Sequence, residues 1–165
     1  MKNLILSTFL LLTACTPAPQ QVPTFRNKTA PITSIALFDA TKFSGSWQVV
    51  ASYQQQLCAL DVALVKPDRL NWAEYKCAGS IDRMEALITG PGRFSPEAGL
   101  HKAQSHWVMW VDQSYRTAVI GTPGGEFGMI LNRGHDIAAD RMKAAREILA
   151  WNGYDLAALV LREHD

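Results

Sequence analysis

Few side chains in this sequence are spaced for chemistry on a substrate. It has no Gly-x-Ser-x-Gly elbow and no His-Glu-x-x-His pair, so it encodes neither a strained nucleophilic serine nor a zinc-hydrolase helix. His101 and His106 are five apart, which places them on opposite faces of a strand and makes them weak as joint metal ligands. Asp82 and Glu85 also point to opposite faces if Ile81 to Ile88 is extended, so they are poor acid–base partners. His135 precedes Asp136 at a strand–helix junction, where capping or exposure accounts for it. Cys58 and Cys77 could form a metal or redox pair, but their spacing is not Cys-x-x-Cys and no histidine flanks either one. The pattern points to binding rather than catalysis, with no metal and no cofactor expected. A haem-binding alternative needs a histidine inside the fold, and His106 is placed for that.

The elements that must position these residues fit one domain in 165 residues, and the 48% hydrophobic content can fill a core. Net charge is +1, with Lys and Arg scattered, so the chain carries no electrostatic footprint for nucleic acid.

The N-terminus reads as an address. Lys2 supplies a positive start, and Leu4 to Leu12 is an apolar stretch too short to span a bilayer. Leu12-Thr13-Ala14-Cys15 resembles the bacterial lipoprotein box, with residues 1–14 as signal peptide and Cys15 lipidated; a plain secretory peptide cut after Ala14 is the alternative. Residues 15–34 then form a lipidated tether rich in Pro and Gln, and 35–165 the folded domain. Thr16 rather than Asp after the cysteine implies the bacterial outer membrane, with the domain at its periplasmic face. Export also decides the remaining cysteines. In an oxidising compartment Cys58 and Cys77 are expected to pair as a disulfide.

Strand signals recur along the domain. Gly45 to Tyr53 is rich in Val and aromatic residues, with Trp47 two residues after a glycine. Leu60 to Val65, Leu70 to Cys77, Ile81 to Ile88, His106 to Val111, Thr117 to Ile120 and Phe127 to Leu131 follow, separated by Pro and Gly turns. Arg93 to Ala103 is polar and reads as a short edge strand. From Asp136 to Trp151 the period changes: Ile137, Met142, Ala145, Ile148 and Leu149 share a helical face, with Asp136 as N-cap and Asn152-Gly153 as the stop. Tyr154 to Leu161 reads as a last strand.

Three short pieces in this order resemble the lipocalins, most closely the outer-membrane lipoprotein lipocalins of bacteria. They are Gly45-Ser46-Trp47, the turn Asp112-Gln113-Ser114-Tyr115 and the strand end Leu131-Asn132-Arg133. The turn lacks the family's middle acid. The resemblance implies an all-β, eight-stranded antiparallel up-and-down barrel with one C-terminal α-helix packed outside, and Arg133 lying against Trp47. It also implies a carrier rather than an enzyme, with fatty acids or lysophospholipids as candidate apolar ligands for transport, storage or membrane maintenance. The oligomeric state is left open, a homodimer being one option.

In such a barrel alternate strand residues face inward. Trp72, Met84, Met109, Phe127 and Met129 are expected to line the interior together with Trp107 or Trp110, aromatic and Met side chains suiting an adaptable apolar pocket. Along His106 to Asp112 the inward set is either Trp107, Met109 and Val111, or His106, Val108, Trp110 and Asp112.

Overall fold

The computed structural model describes residues 23–98 and 104–162. Eight antiparallel strands follow one another as hairpins: β1 (Gly45–Ser52), β2 (Leu57–Lys66), β3 (Arg69–Lys76), β4 (Ile81–Gly90), β5 (Arg93–Pro96), β6 (His106–Val111), β7 (Thr117–Gly121) and β8 (Gly128–Asn132). β1 pairs with β2 through Trp47 opposite Leu60, and with β8 through Val49 opposite Leu131. The meander therefore closes on itself, leaving no free edge among the eight. The thinnest seam is between β5 and β6, where only Arg93–Trp107 and Phe94–His106 face each other. The segment beginning at Arg93 was expected to be an edge strand. Instead β5 is paired on both sides, because closure consumes the edge.

Two apolar layers result from the alternation. Inside the barrel Trp47, Val49, Leu60, Leu70, Trp72, Phe94, Phe127 and Met129 form one buried cluster. Outside, α2 (Ala139–Trp151) covers a second cluster that includes Val50, Met109, Val119 and Ile130 from the strands and Ala145 and Leu149 from the helix. Burying this stripe stabilises α2, which carries no side-chain N-cap bond. The expected cap is displaced: Ala138, not Asp136, holds the N-cap position, and the backbone carbonyl of Asp136 accepts instead from the Asn132 amide, 2.9 Å away. The last strand is shorter than Tyr154 to Leu161. A 3-10 turn at Leu156–Ala158 intervenes, and only Val160–Leu161 (β9) pairs with β1.

The barrel has two unlike ends. The β2–β3, β4–β5 and β6–β7 turns meet the short helix α1 (Ala40–Phe43) at one, the stacked end, where Arg133 lies over Trp47 and the tilted rings of Phe38, Phe43 and Trp47 follow one another at 5.2 and 5.1 Å. The β1–β2, β3–β4 and β7–β8 connections ring the opposite end. Cys58 and Cys77 are joined there by a disulfide, with their Cα atoms 5.1 Å apart. Residues 24–35, partly within the stretch read as a tether, lie along the wall: Phe25 N–H donates to Gly125 O and Ile35 N–H to Val108 O.

Candidate functional site within the barrel

β3 sets the character of the interior. Its inward residues run Leu70, Trp72, Glu74 and Lys76 from the stacked end to the open one. Leu70 and Trp72 are fully buried among apolar neighbours. Glu74 is only 1% exposed. It accepts a hydrogen bond from Trp72 Nε1 at 3.2 Å and pairs with Lys76 Nζ at 2.7 Å, with Asp82 3.6 Å beyond. An ionised carboxylate survives such burial only when paired and hydrogen-bonded, as here. The inward side of β3 thus grades from apolar to charged toward the open end.

Aromatic rings cross this interior. Trp72 meets Phe94 at 5.0 Å, Phe94 stacks on His106 at 5.7 Å, and His106 meets Phe127 at 4.8 Å. His106 is buried, and its Nδ1 lies 2.9 Å from Gln104 O. Met84 and Met129 belong to the same buried interior cluster.

Three of the expected lining residues do not face the interior. A bulge in the β6–β7 pairing falls between Val108 and Trp110, making Met109 an extra residue. His106 and Val108 point inward before it and Val111 after it, so neither simple alternation holds along the whole strand. Met109 and Trp110 join the layer beneath α2. Trp107 lies on the outer side, where Arg93 stacks over its ring at 4.1 Å. Glu74, Lys76 and Phe94 were missed as interior residues. For Glu74 and Lys76 the signal was available, since both share the parity of Trp72 on one strand.

The remaining chemical candidates are dispersed. Asp82 reaches Lys76, whereas Glu85 reaches Arg69 at 3.6 Å on the outside. Among the described residues no group of three or more His, Cys, Asp or Glu could hold a metal ion. Cys15 and His101 lie outside the described residues. His135 is exposed after β8.

A hollow of about 600 Å³ lies on the outer face of β1–β4. Ser46, Asp61, Ala63, Asn71, Ala73 and Tyr75 line it, alternating with the inward Val62 and Trp72. The Tyr75 hydroxyl donates to Asp61 at 2.5 Å. Hydrogen bonds from Ser46 and Tyr75 hold the Asp61 carboxyl below its usual range.

The three pieces that resemble the lipocalin signature lie together at the stacked end. Gly45 has φ +108°, and a Cβ there would sit 2.9 Å from Arg133 Nη1, so only glycine lets β1 pass this closely. The Asp112 carboxylate accepts from the backbone N–H groups of Arg116 and Thr117 at 2.6 Å, shaping the β6–β7 turn. Tyr115, at φ 54°, turns its hydroxyl to the Asp39 N–H at 2.8 Å.

Comparison with solved structures agrees with this geometry. Lobster apocrustacyanin A1 superposes with a TM-score of 0.60 at 14% identity, over 88% of this chain and 94% of that one. The chain has the lipocalin fold. Apocrustacyanin C2 gives a TM-score of 0.62 over the same shares at 14% identity. The siderocalin Ex-FABP, described as acting through dual ligand specificities, gives 0.59 at 14% identity, over 75% of this chain and 95% of that one. Residues 93–164 match the family model of the lipocalin-like domain. Among curated proteins nothing matches the sequence.

Proposed function

We propose that this protein is a membrane-anchored lipocalin that carries a small amphipathic lipid, of the fatty acid or lysophospholipid class, in its barrel. The observation that carries the reading is the inward face of β3, where fully buried Leu70 and Trp72 give way to the Glu74–Lys76 pair toward the opening. An acyl chain would lie against Trp72, Phe94, Phe127 and Met129, gaining about 25 cal/mol for each Å² of apolar surface it buries. Lys76 is the cation nearest that path, and a carboxylate or phosphate at the head of the ligand would compete with Glu74 for it.

Signal peptide 1–14 and acylation of Cys15 complete the reading. Several acyl chains hold a protein on a bilayer, where one alone gives only marginal binding. Placed at the periplasmic face of the outer membrane, such a carrier would serve lipid transport, storage or membrane maintenance. Binding, rather than turnover, is the activity proposed.

Native mass spectrometry of freshly purified and delipidated protein tests the reading. Fresh protein should carry a releasable adduct with the mass of a single-chain lipid. Delipidated protein should regain one equivalent from added palmitate or lysophosphatidylcholine. A fresh protein with no adduct that also takes up neither lipid would refute the proposal.

A further inference from the structure

The described chain begins at the open end of the barrel. Thr24 Oγ1 donates to Gly124 O at 2.7 Å, and Phe25 N–H to Gly125 O at 2.8 Å. Arg26 reaches Pro123 O at 2.8 Å and Asn152 O at 2.6 Å. These bonds fix the segment to the β7–β8 turn and to the end of α2. Only eight residues stand between Cys15 and Thr24, a reach of about 30 Å at full extension. A tilted barrel strand of this length rises on the order of 25 Å along the axis. Bringing the opposite end to a bilayer would therefore stretch the link almost completely alongside the barrel.

The two ends also differ in charge. The three described connections at the open end, residues 53–56, 77–80 and 122–127, hold a single residue of Asp, Glu, Lys or Arg type, Glu126, whose carboxylate accepts from the Thr122 hydroxyl at 3.0 Å, while Lys76 and Asp82 flank the second of them. The stacked end presents Lys66, Asp68 and Arg69 in one turn, Asp112 and Arg116 in another, and Asp39 and Lys42 around α1. Neutral polar groups enter a headgroup layer at far less cost than charges do. Beside the open end, Trp151 closes α2 with 82% of its surface exposed. An indole, apolar in body and polar at one edge, favours the membrane–water interface.

We propose that the open end of the barrel is the face turned to the lipid surface, with Trp151 seated at headgroup depth. The inference rests on the anchoring at Cys15 proposed above. It places the barrel opening against the bilayer, so a ligand passes between membrane and interior over a short path, by way of the Glu74–Lys76–Asp82 group.

Full-length protein reconstituted in phosphatidylethanolamine–phosphatidylglycerol vesicles, with a shallow spin-labelled phosphatidylcholine as quencher, tests it. Wild type should lose a component of its tryptophan emission that Trp151→Phe lacks. Leu37 is 88% exposed and borders the cleft with Pro67 and Pro91 at the stacked end, so Leu37→Trp in the Trp151→Phe background should add no quenched component. Equal quenching of wild type and Trp151→Phe, or quenching of the new Trp instead, would overturn the orientation in protein whose mass shows acyl chains on Cys15. A mass showing unmodified Cys15 would overturn the anchoring, and the orientation with it.

Discussion

Arg133 lies flat over Trp47, its guanidinium carbon 3.7 Å from the ring centroid. The same group donates to backbone carbonyls of Lys42 and Ser44 at 2.8 and 2.9 Å and of Ser46 at 3.0 Å. Burial lowers its pKa from the usual arginine value, yet a guanidinium stays charged in any accessible range. One side chain therefore closes the barrel end twice, by stacking on the indole and by binding backbone carbonyls of α1 and the start of β1. Trp47 is fixed in turn by its Nε1–H donating to Phe43 O at 2.9 Å.

A double-mutant cycle measures this closure. Trp47→Ala should cost about 3–5 kcal/mol, because the fully buried indole leaves a cavity the closed barrel cannot collapse around. Arg133→Ala should cost less, since water can reach part of the released carbonyls. The coupling between the two should fall at about 0.5–3 kcal/mol in denaturant unfolding. Additive effects would contradict the contact.

The Cys58–Cys77 bridge spans a sequence separation of 19 and ties the start of β2 to the end of β3. A loop of that length restricts the unfolded chain by about 3 kcal/mol in the entropy model. Reduction, or Cys58→Ser with Cys77→Ser, should lower unfolding stability by a few kcal/mol. An unchanged denaturation midpoint on reduction would show that the bridge does not constrain the unfolded chain as argued.

Alkaline pH should loosen the outer layer. Burial pushes the Tyr154 phenol from 10.0 up to about 12. Burial also drives the Tyr53 phenol well above its ordinary value, helped by neighbouring Tyr154 and Asp155. Raised folded-state values mean that the folded chain keeps protons the unfolded chain has already lost. Stability is therefore steady below pH 10 and falls between pH 10 and about 12, at most about 1.4 kcal/mol per unit for each such tyrosine. Tyr154 Oη also donates to Phe127 O at 2.7 Å, so Tyr154→Phe should lower stability at neutral pH yet flatten this alkaline slope. Denaturant midpoints at several alkaline pH values would show it.

Much of the fold was legible because its devices are local. Gly45 before Trp47, the turn from Asp112 to Tyr115 and the apolar face of α2 each follow from residue types at short spacing. Less was legible where the geometry departs from simple period. A bulge adds one residue to one strand, and alternation counted along His106 to Asp112 has no means of locating it. Trp107, Met109 and Trp110 were accordingly divided between the two faces in ways the bulge overrules. Glu74 was missed for a different reason. A carboxylate reads as surface until its partners are known, and Trp72 Nε1 and Lys76 become partners only after the register is fixed.

Anchoring has its own test. Cys15→Ser should move the protein from the membrane fraction to the soluble periplasm. A Ser variant that still sediments with outer membranes would contradict lipidation as the anchor.

The most direct measurement of the central claim is a tryptophan-fluorescence titration of delipidated protein with palmitate and lysophosphatidylcholine, in wild type and two filled variants. Ala86 is fully buried within the barrel, whereas Ala63 borders the outer hollow. Wild type should show a saturable change at micromolar concentration or below. Ala86→Leu, with its fold confirmed by circular dichroism, should bind at least about tenfold more weakly, a loss near 1.4 kcal/mol, and Ala63→Leu should match wild type. A flat wild-type titration across chain lengths, or weakening by Ala63→Leu alone, would contradict an occupied barrel interior.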